Sequence, residues 1–195
     1  MSEFSMKDLG LVNFFLGISI SACKGGYFLN QSKYIHDLLN RTGLFSSKPI
    51  NTLLSSKSLI ASDTSPPFYD PSLYHSLIGG LQYLTFTRPD IAFSVSQVAQ
   101  FMHSPLDIHF TAVKRTLCYM CGSINHGLFI LDGSIGSLTC YTDADWVASS
   151  VLQVRYVPSV DQLADLLMKS IPYAQFSFLR DKLNIYRDPA LLEGE

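Results

Sequence analysis

The chain has 195 residues, 47% hydrophobic and 12% aromatic, which excludes an intrinsically disordered protein and supplies apolar material for one substantial domain or two small ones. Only 15% of the residues are charged, so some apolar faces are expected to be covered by parts of a larger protein. The net charge of −2 and the absence of a basic stripe argue against strong binding of nucleic-acid phosphates. Four cysteines, without a signal-peptide pattern or an apolar run of membrane-spanning length, predict an intracellular protein, cytoplasmic or nuclear, that is neither secreted nor in a membrane.

The first part of the chain is predicted to form a β-hairpin followed by a helix. Residues 14–20 and 27–29 have the alternating apolar pattern of strands, and the glycine-rich segment 24–26 between them is typical of a turn. Residues 31–42 follow as a helix with one apolar face, and Gly43 marks its end.

A linker and three helices are predicted in the middle of the chain. Residues 46–71 are rich in Ser, Pro, Thr and Asp, which is typical of a linker that lies over the surface. The three helices that follow have apolar residues at helical spacing and span residues 72–84, 89 to about 103, and 107–123. Gly79 and Gly80 weaken the first helix, Pro89 suits the first turn of the second, and Asp107 is expected to cap the third.

Some residues of this helical part could carry chemistry, and each has a simpler interpretation. Arg88 and Asp90 are expected to form a local ion pair at the start of a helix. Cys118 and Cys121 form a C-x-x-C pair inside a predicted helix, without a second ligand pair at metal-site spacing, so we interpret the pair as a coincidence. The histidines share no ligand spacing and are interpreted as structural or surface residues; they are His36, His75, His103, His109 and His126.

Acidic residues follow a short alternating segment near residue 140. Residues 127–131 and 137–142 are predicted strands on either side of a turn, and the second runs directly into Asp143, Asp145 and the single tryptophan, Trp146. A carboxylate at the end of a strand is well placed to hold a divalent metal. The alternative interpretation is an acidic turn that closes a hairpin.

Five stretches of the chain, taken in order, resemble the C-terminal part of the Pol polyprotein of copia-type LTR retrotransposons. They are MKDLGLVNFFLGISIS, LIGGLQYLTFTRPDIAFSVSQVAQFM, HFTAVKRTL, YTDADW and VRYVPSVDQLADLLMK. The resemblance implies an α+β fold with an N-terminal β-hairpin, a helical middle and a small remnant of an RNase H-like sheet with C-terminal helices. It divides the chain into the end of the reverse-transcriptase palm with a thumb-like helix, a linker, a helical connection and a truncated RNase H-like remnant, at residues 1–45, 46–71, 72–126 and 127–195.

The same resemblance assigns roles to individual residues. Phe15, Leu16 and Gly17 correspond to a primer-grip-like hairpin that would contact nucleic acid, with strand packing as the alternative. The aspartate pair of the polymerase belongs upstream, and no aromatic-x-Asp-Asp pattern occurs here, so polymerase activity is not expected. Asp143 corresponds to the first acid of RNase H, and Asp165 corresponds to the fourth, in the predicted last helix of that fold.

The catalytic centre of an intact RNase H needs four carboxylates around two Mg²⁺ ions about 3.5–4 Å apart. Here the second and third acids have no counterpart, because the segment that would carry them is missing between Ser150 and Val151. The strand candidates on either side, residues 137–142 and 154–157, are joined by too short a link for the crossover that parallel strands need. We therefore expect the carboxylates of Asp143 and Asp165 to lie more than about 6 Å apart, too far to share one ion.

These residues predict a fragment of a reverse transcriptase/RNase H polyprotein without polymerase or nuclease activity of its own. Mg²⁺ is the cofactor of the intact family, and no functional cofactor is expected here. The alternatives are a residual module that binds an RNA/DNA hybrid, and a protein that associates with full-length Pol. Because the net charge is −2, binding to a hybrid is expected to be weak or absent.

Overall fold

A computed structural model of the chain describes residues 10–53, 65–133, 139–141 and 156–191. These residues form an α+β protein with a five-stranded antiparallel sheet, in which the strands lie side by side in chain order. The strands are β1 (Phe14–Phe15), β2 (Ile18–Cys23), β3 (Gly26–Asn30), β4 (His126–Leu131) and β5 (Ile185–Arg187). The helices are α1 (Ser32–Arg41), α2 (Pro71–Leu84), α3 (Ala92–Ala99), α4 (Asp107–Gly122), α5 (Leu163–Met168) and α6 (Tyr173–Lys182), with short 3₁₀ helices at Pro89–Ile91 and Pro189–Leu191.

The N-terminal edge of the sheet contains an extra turn. The sequence predicts one strand over residues 14–20, which is wrong because Leu16 and Gly17 have φ angles of 47° and 79° and reverse the chain. Two successive residues with positive φ form the mirror-image turn that matches the twist of a β-hairpin. Phe15 pairs with Ile18 across this turn. The predicted hairpin between β2 and β3 is confirmed.

Strand β4 joins this N-terminal hairpin across a large distance in sequence. A Cβ atom added at Gly127 would lie 2.2 Å from the backbone oxygen of Leu29, and one at Gly26 would lie 2.1 Å from that of Ile130. Glycine is therefore required at both positions for β3 and β4 to approach. Strand β5 then pairs with the opposite edge of β4.

The predicted RNase H-like sheet is not confirmed in the described part of the chain. The sequence correctly predicts a strand at residues 127–131, but this strand pairs with β3 and β5. The described residues of the other two strand candidates, 139–141 and 156–157, lie in no strand, and the rest of both candidates lies outside the described residues.

Helices α2 and α4 begin at different kinds of cap. Asp70 precedes α2 and its Oδ1 atom accepts a hydrogen bond from the Leu73 amide at 2.9 Å. The sequence predicts Asp107 as the cap of α4, which is wrong because the extended residue before the helix is Leu106. The Leu106 amide donates to His109 Nδ1 at 3.0 Å, so a histidine side chain satisfies this end.

Helix α3 is shorter than predicted. It follows the 3₁₀ helix at Pro89–Ile91 and ends at Ala99, whereas the sequence predicts a helix to about residue 103. The amides of Phe101 and Met102 donate to carbonyls three residues earlier, which tightens the chain into turns. Pro105 follows, and a proline disfavours helical geometry in the residue before it.

The main core lies between the helices. The apolar faces of α1 to α4 meet there, and residues from α5 and α6 pack against them. Tyr74 is buried at the centre, and its hydroxyl donates to the Val98 carbonyl at 2.7 Å. The largest fully buried apolar side chains include Ile35, Leu38, Leu39, Leu77, Ile78, Leu81, Leu84, Ile91 and Leu117. None of the helices among the described residues is long and apolar enough to cross a membrane.

Candidate functional site

Asp143, the first RNase H acid implied by the sequence, lies outside the described residues together with Asp145 and Trp146. Its expected distance of more than about 6 Å from Asp165 therefore stays a prediction.

Asp165, the second of the two acids, lies on α5 and is only 7% exposed. Its Oδ1 atom accepts a hydrogen bond from Lys169 Nζ at 2.9 Å, one helical turn later on the same face. Helix α5 packs against α3 and the Pro89–Ile91 3₁₀ helix, so the carboxylate belongs to the helical part of the molecule. A metal ion at Asp165 would have to displace the ammonium group that already neutralises it.

The expected loss of the dinuclear Mg²⁺ site of the intact family stays a prediction, because Asp143 lies outside the described residues. Such a site needs several carboxylates around the ions. Within residues 10–53, 65–133, 139–141 and 156–191, no three His, Cys, Asp or Glu side chains come together in a group that could hold a metal.

Phe15, Leu16 and Gly17, the primer-grip-like residues, lie at the turn between β1 and β2. The side chains of Phe15 and Leu16 are 60% and 72% exposed. Gly17 faces Tyr83 of α2, because a Cβ atom there would lie 3.2 Å from the Tyr83 hydroxyl. The turn therefore rests on α2 through its glycine and presents two apolar side chains to the surface.

Arg88 and Asp90 form the predicted ion pair, and the structure buries both completely. The guanidinium donates to both carboxylate oxygens, with Nε–Oδ1 and Nη2–Oδ2 distances of 3.0 and 2.8 Å. Arg88 Nη1 also donates to the Ser123 carbonyl at 2.8 Å, and the Tyr119 hydroxyl donates to Asp90 Oδ2 at 2.6 Å. We call these four residues the buried ion cluster.

The electrostatics of the buried ion cluster make it unreactive. Burial is the largest single influence and would raise the pKa of Asp90, but the Arg88 guanidinium, the Tyr119 hydroxyl and Arg180 together outweigh burial and hold that pKa below its usual range. Burial and the neighbouring Asp90 raise the pKa of the Tyr119 hydroxyl. The Arg88–Asp90 pair therefore stays charged and the Tyr119 phenol stays neutral at neutral pH. Through its hydrogen bonds the cluster connects the Pro89–Ile91 3₁₀ helix to the end of α4. Sequence reasoning missed Tyr119 and Ser123, although their i, i+4 spacing places them on one helical face.

His126 opens β4 beside the buried ion cluster. Burial lowers its pKa to about 4, with Arg88, Arg180 and Arg187 contributing in the same direction and Asp90 opposing them. It is therefore neutral at pH 7. The nearby arginines make His126 an unfavourable ligand for a metal ion, and we therefore interpret His126 as a structural residue.

Cys118 and Cys121 lie inside α4, as predicted. The Cys121 thiol donates to the Phe45 carbonyl at 3.3 Å, and burial together with Cys118 raises its pKa. A protonated thiol is a weak nucleophile and a weak metal ligand. The raised pKa of Cys121 does not favour a reactive thiolate at that position.

A cavity of about 370 Å³ opens between α3, α5 and α6, and sequence reasoning did not indicate it. We call it the α3–α6 cavity. Three segments far apart in sequence line it, which is why no local motif indicates it. The lining residues are 51–53, Asp90, Phe93, Ser94, Leu166, 169–173 and Phe176.

Comparisons with known proteins identify relatives over about three quarters of the chain. The retrovirus-related Pol polyprotein from transposon RE1 of Arabidopsis thaliana is 42% identical over 144 residues, which are 74% of this chain and 10% of that protein. The Pol polyprotein from transposon RE2 of the same plant is 38% identical over 148 residues, 76% of this chain and 10% of that protein. An uncharacterized mitochondrial protein of A. thaliana is 46% identical over 145 residues, 74% of this chain and 60% of that protein.

No protein-family model matches the chain, and no solved structure matches it. The chain spans about a tenth of the length of the two Pol polyproteins and 60% of the mitochondrial protein. The matching relatives are nevertheless consistent with the resemblance stated from the motifs. Over about three quarters of its length the chain is therefore similar to a short part of the retrovirus-related Pol polyproteins of copia-type retrotransposons.

Proposed function

We propose that the chain is a transposon-derived segment of Pol that has neither polymerase nor ribonuclease H activity. The observation that carries the proposal is the ion pair between Asp165 and Lys169 on a helix packed against the helical core. A carboxylate that is almost buried and already neutralised by an ammonium group is poorly suited to bind a catalytic divalent ion. The sequence supports the same conclusion, because it contains no acid between Asp145 and Asp161.

A ribonuclease H assay tests this proposal. The full chain, incubated with a labelled RNA/DNA hybrid and either Mg²⁺ or Mn²⁺, is expected to leave the RNA strand intact. Asp143→Asn and Asp165→Asn serve as matched variants. Cleavage by the wild type that either substitution abolishes would overturn the proposal, whereas cleavage that both variants retain would identify a contaminating nuclease.

A second candidate function is contact with an RNA/DNA hybrid through the β1–β2 turn. It is favoured by the exposure of Phe15 and Leu16, since apolar and aromatic side chains can stack on or pack against bases. Association with full-length Pol would use the same exposed side chains. Neither interaction requires the chain to be an enzyme.

The Leu16→Asn variant tests the second candidate without unfolding the turn. Asn followed by Gly is the preferred pair for this turn type, so the hairpin is kept while the apolar side chain is removed. We expect weak, salt-sensitive binding of a labelled hybrid by fluorescence anisotropy, reduced several-fold by Leu16→Asn. Tyr69→Ser, at an exposed aromatic residue before α2, is the control and should bind like the wild type. Equal binding by all three proteins, or none, would reject hybrid contact at this turn.

A further inference from the structure

We propose that the α3–α6 cavity binds a small, neutral, planar aromatic heterocycle. This inference concerns a site separate from the β1–β2 turn, and it does not depend on the absence of nuclease activity. The volume of about 370 Å³ lies near the lower end of the range of ligand-binding pockets, which is about 300–1,000 Å³. A ligand of one or two fused rings is the size that such a cavity accommodates.

The walls of the cavity favour an aromatic ligand. Phe93 and Phe176 are almost completely buried and form apolar wall, whereas Tyr173 is 48% exposed and therefore lies toward the opening. Aromatic side chains attract a planar ring through stacked or edge-to-face contacts, in addition to the apolar area that they bury. Three such residues around one cavity select a flat ligand over a branched aliphatic one.

The charges around the cavity favour a neutral ligand. Asp90 contributes to the lining, but Arg88 neutralises it through two hydrogen bonds. Lys169 also contributes, and its ammonium group is paired with Asp165. Each charge at the cavity therefore has an opposite charge beside it, and an added anion or cation would meet an attraction and a repulsion of similar size.

One buried polar group can offer the ligand a hydrogen bond once its side chain rotates toward the cavity, because in the present rotamer the Ser94 hydroxyl has no accessible surface. Ser94 lines the cavity, is fully buried, and its hydroxyl has no hydrogen-bond partner in the described structure. Native proteins rarely leave a buried hydroxyl unsatisfied, because the lost hydration costs stability. A ring nitrogen or N–H group of a heterocycle can supply the partner after rotation of the serine side chain.

Three ligands with one ring system and different charges test the proposal: indole, indole-3-acetate and tryptamine. Saturation-transfer NMR with the full chain should detect saturable binding of indole, with a Kd on the order of 1 mM or tighter. The anion and the cation should bind at least three-fold more weakly. Absence of saturable indole binding, or binding of either charged analogue as tight as that of indole, would overturn the proposal.

Substitutions locate the binding to the cavity. Tyr173→Ala should raise the Kd for indole at least five-fold through the loss of a ring contact, and Ser94→Ala should raise it about three-fold through the loss of the hydroxyl. Phe178→Ala on α6 and Ser96→Ala on α3 are matched controls, because both residues are outside the cavity lining and should change the Kd less than two-fold. Circular dichroism verifies that each variant is folded. If Ser94→Ala fails to fold, Tyr173→Ala still tests the proposal, because Tyr173 is half-exposed and its substitution should not unfold the protein. Equal affinity in Tyr173→Ala and the controls would show that indole binds elsewhere and would overturn the proposal.

Discussion

At the scale of single residues, the local sequence around the buried ion cluster predicts the ion pair but not its burial. Arg88 and Asp90 are two positions apart at a helix start, and an ion pair between them follows from that spacing alone. The spacing does not predict that both side chains are completely buried, because charged residues are seldom fully buried unless they are paired and hydrogen-bonded. Tyr119 of α4 and Ser123, the residue directly after α4, supply the additional hydrogen bonds, and they contact the ion pair only when the helices pack.

Replacing Arg88 by methionine is expected to lower the free energy of unfolding by about 3–5 kcal/mol, because Asp90 is left as an unpaired buried charge. Urea denaturation followed by circular dichroism measures the change. Arg41→Met is the control, since Arg41 is exposed and bonds only to the Ser76 hydroxyl among its described hydrogen bonds; its effect should stay within about 0.5 kcal/mol.

The double variant Arg88→Met with Asp90→Leu removes both charges. It should regain part of the stability that Arg88→Met loses, because no unpaired charge remains in the core. An Arg88→Met effect as small as that of Arg41→Met would show that the pair is not buried in solution.

At the scale of elements, α2 illustrates how packing overrides intrinsic propensity. Gly79 and Gly80 both lower the helix propensity of this segment. The helix nevertheless spans Pro71–Leu84, and the two glycines have different surroundings. Gly79 is open to solvent, whereas a Cβ atom at Gly80 would lie 3.1 Å from both Leu38 Cδ1 and the Tyr34 hydroxyl of α1. Gly80 therefore allows α1 and α2 to pack closely.

The two glycines give opposite predictions for alanine substitution. Gly79→Ala should raise the free energy of unfolding by up to about 1 kcal/mol through helix propensity. Gly80→Ala gains the same helix propensity, but the added methyl group presses on the Leu38 side chain and the Tyr34 hydroxyl of α1, so the net effect should lower the free energy of unfolding by up to about 2 kcal/mol. Both are measured by urea denaturation of the full chain. A stabilising effect of Gly80→Ala would contradict the close contact between the two helices.

At the scale of the whole molecule, the antiparallel sheet connects the two ends of the chain. Strands β1 to β3 come from the N-terminal part, β5 comes from the C-terminal part, and β4 lies between them. The sequence assigns these strands to separate parts of a polyprotein, a domain division that stays a prediction. With one sheet shared between both ends, unfolding of the N-terminal hairpin exposes an edge of β4.

The sequence by itself determined the α+β class, the three middle helices, the β2–β3 hairpin and the relationship to copia-type Pol. These conclusions depend on short-range periodicity and on motifs, which are properties of neighbouring residues. Only the tertiary structure decided that β4 pairs with β3, that the β1–β2 turn interrupts a predicted strand, that Asp165 is neutralised by Lys169, and that a cavity opens between α3 and α6. Strand pairing, burial and cavities arise between residues far apart in sequence, and the pattern of one segment does not specify which distant segment packs against it.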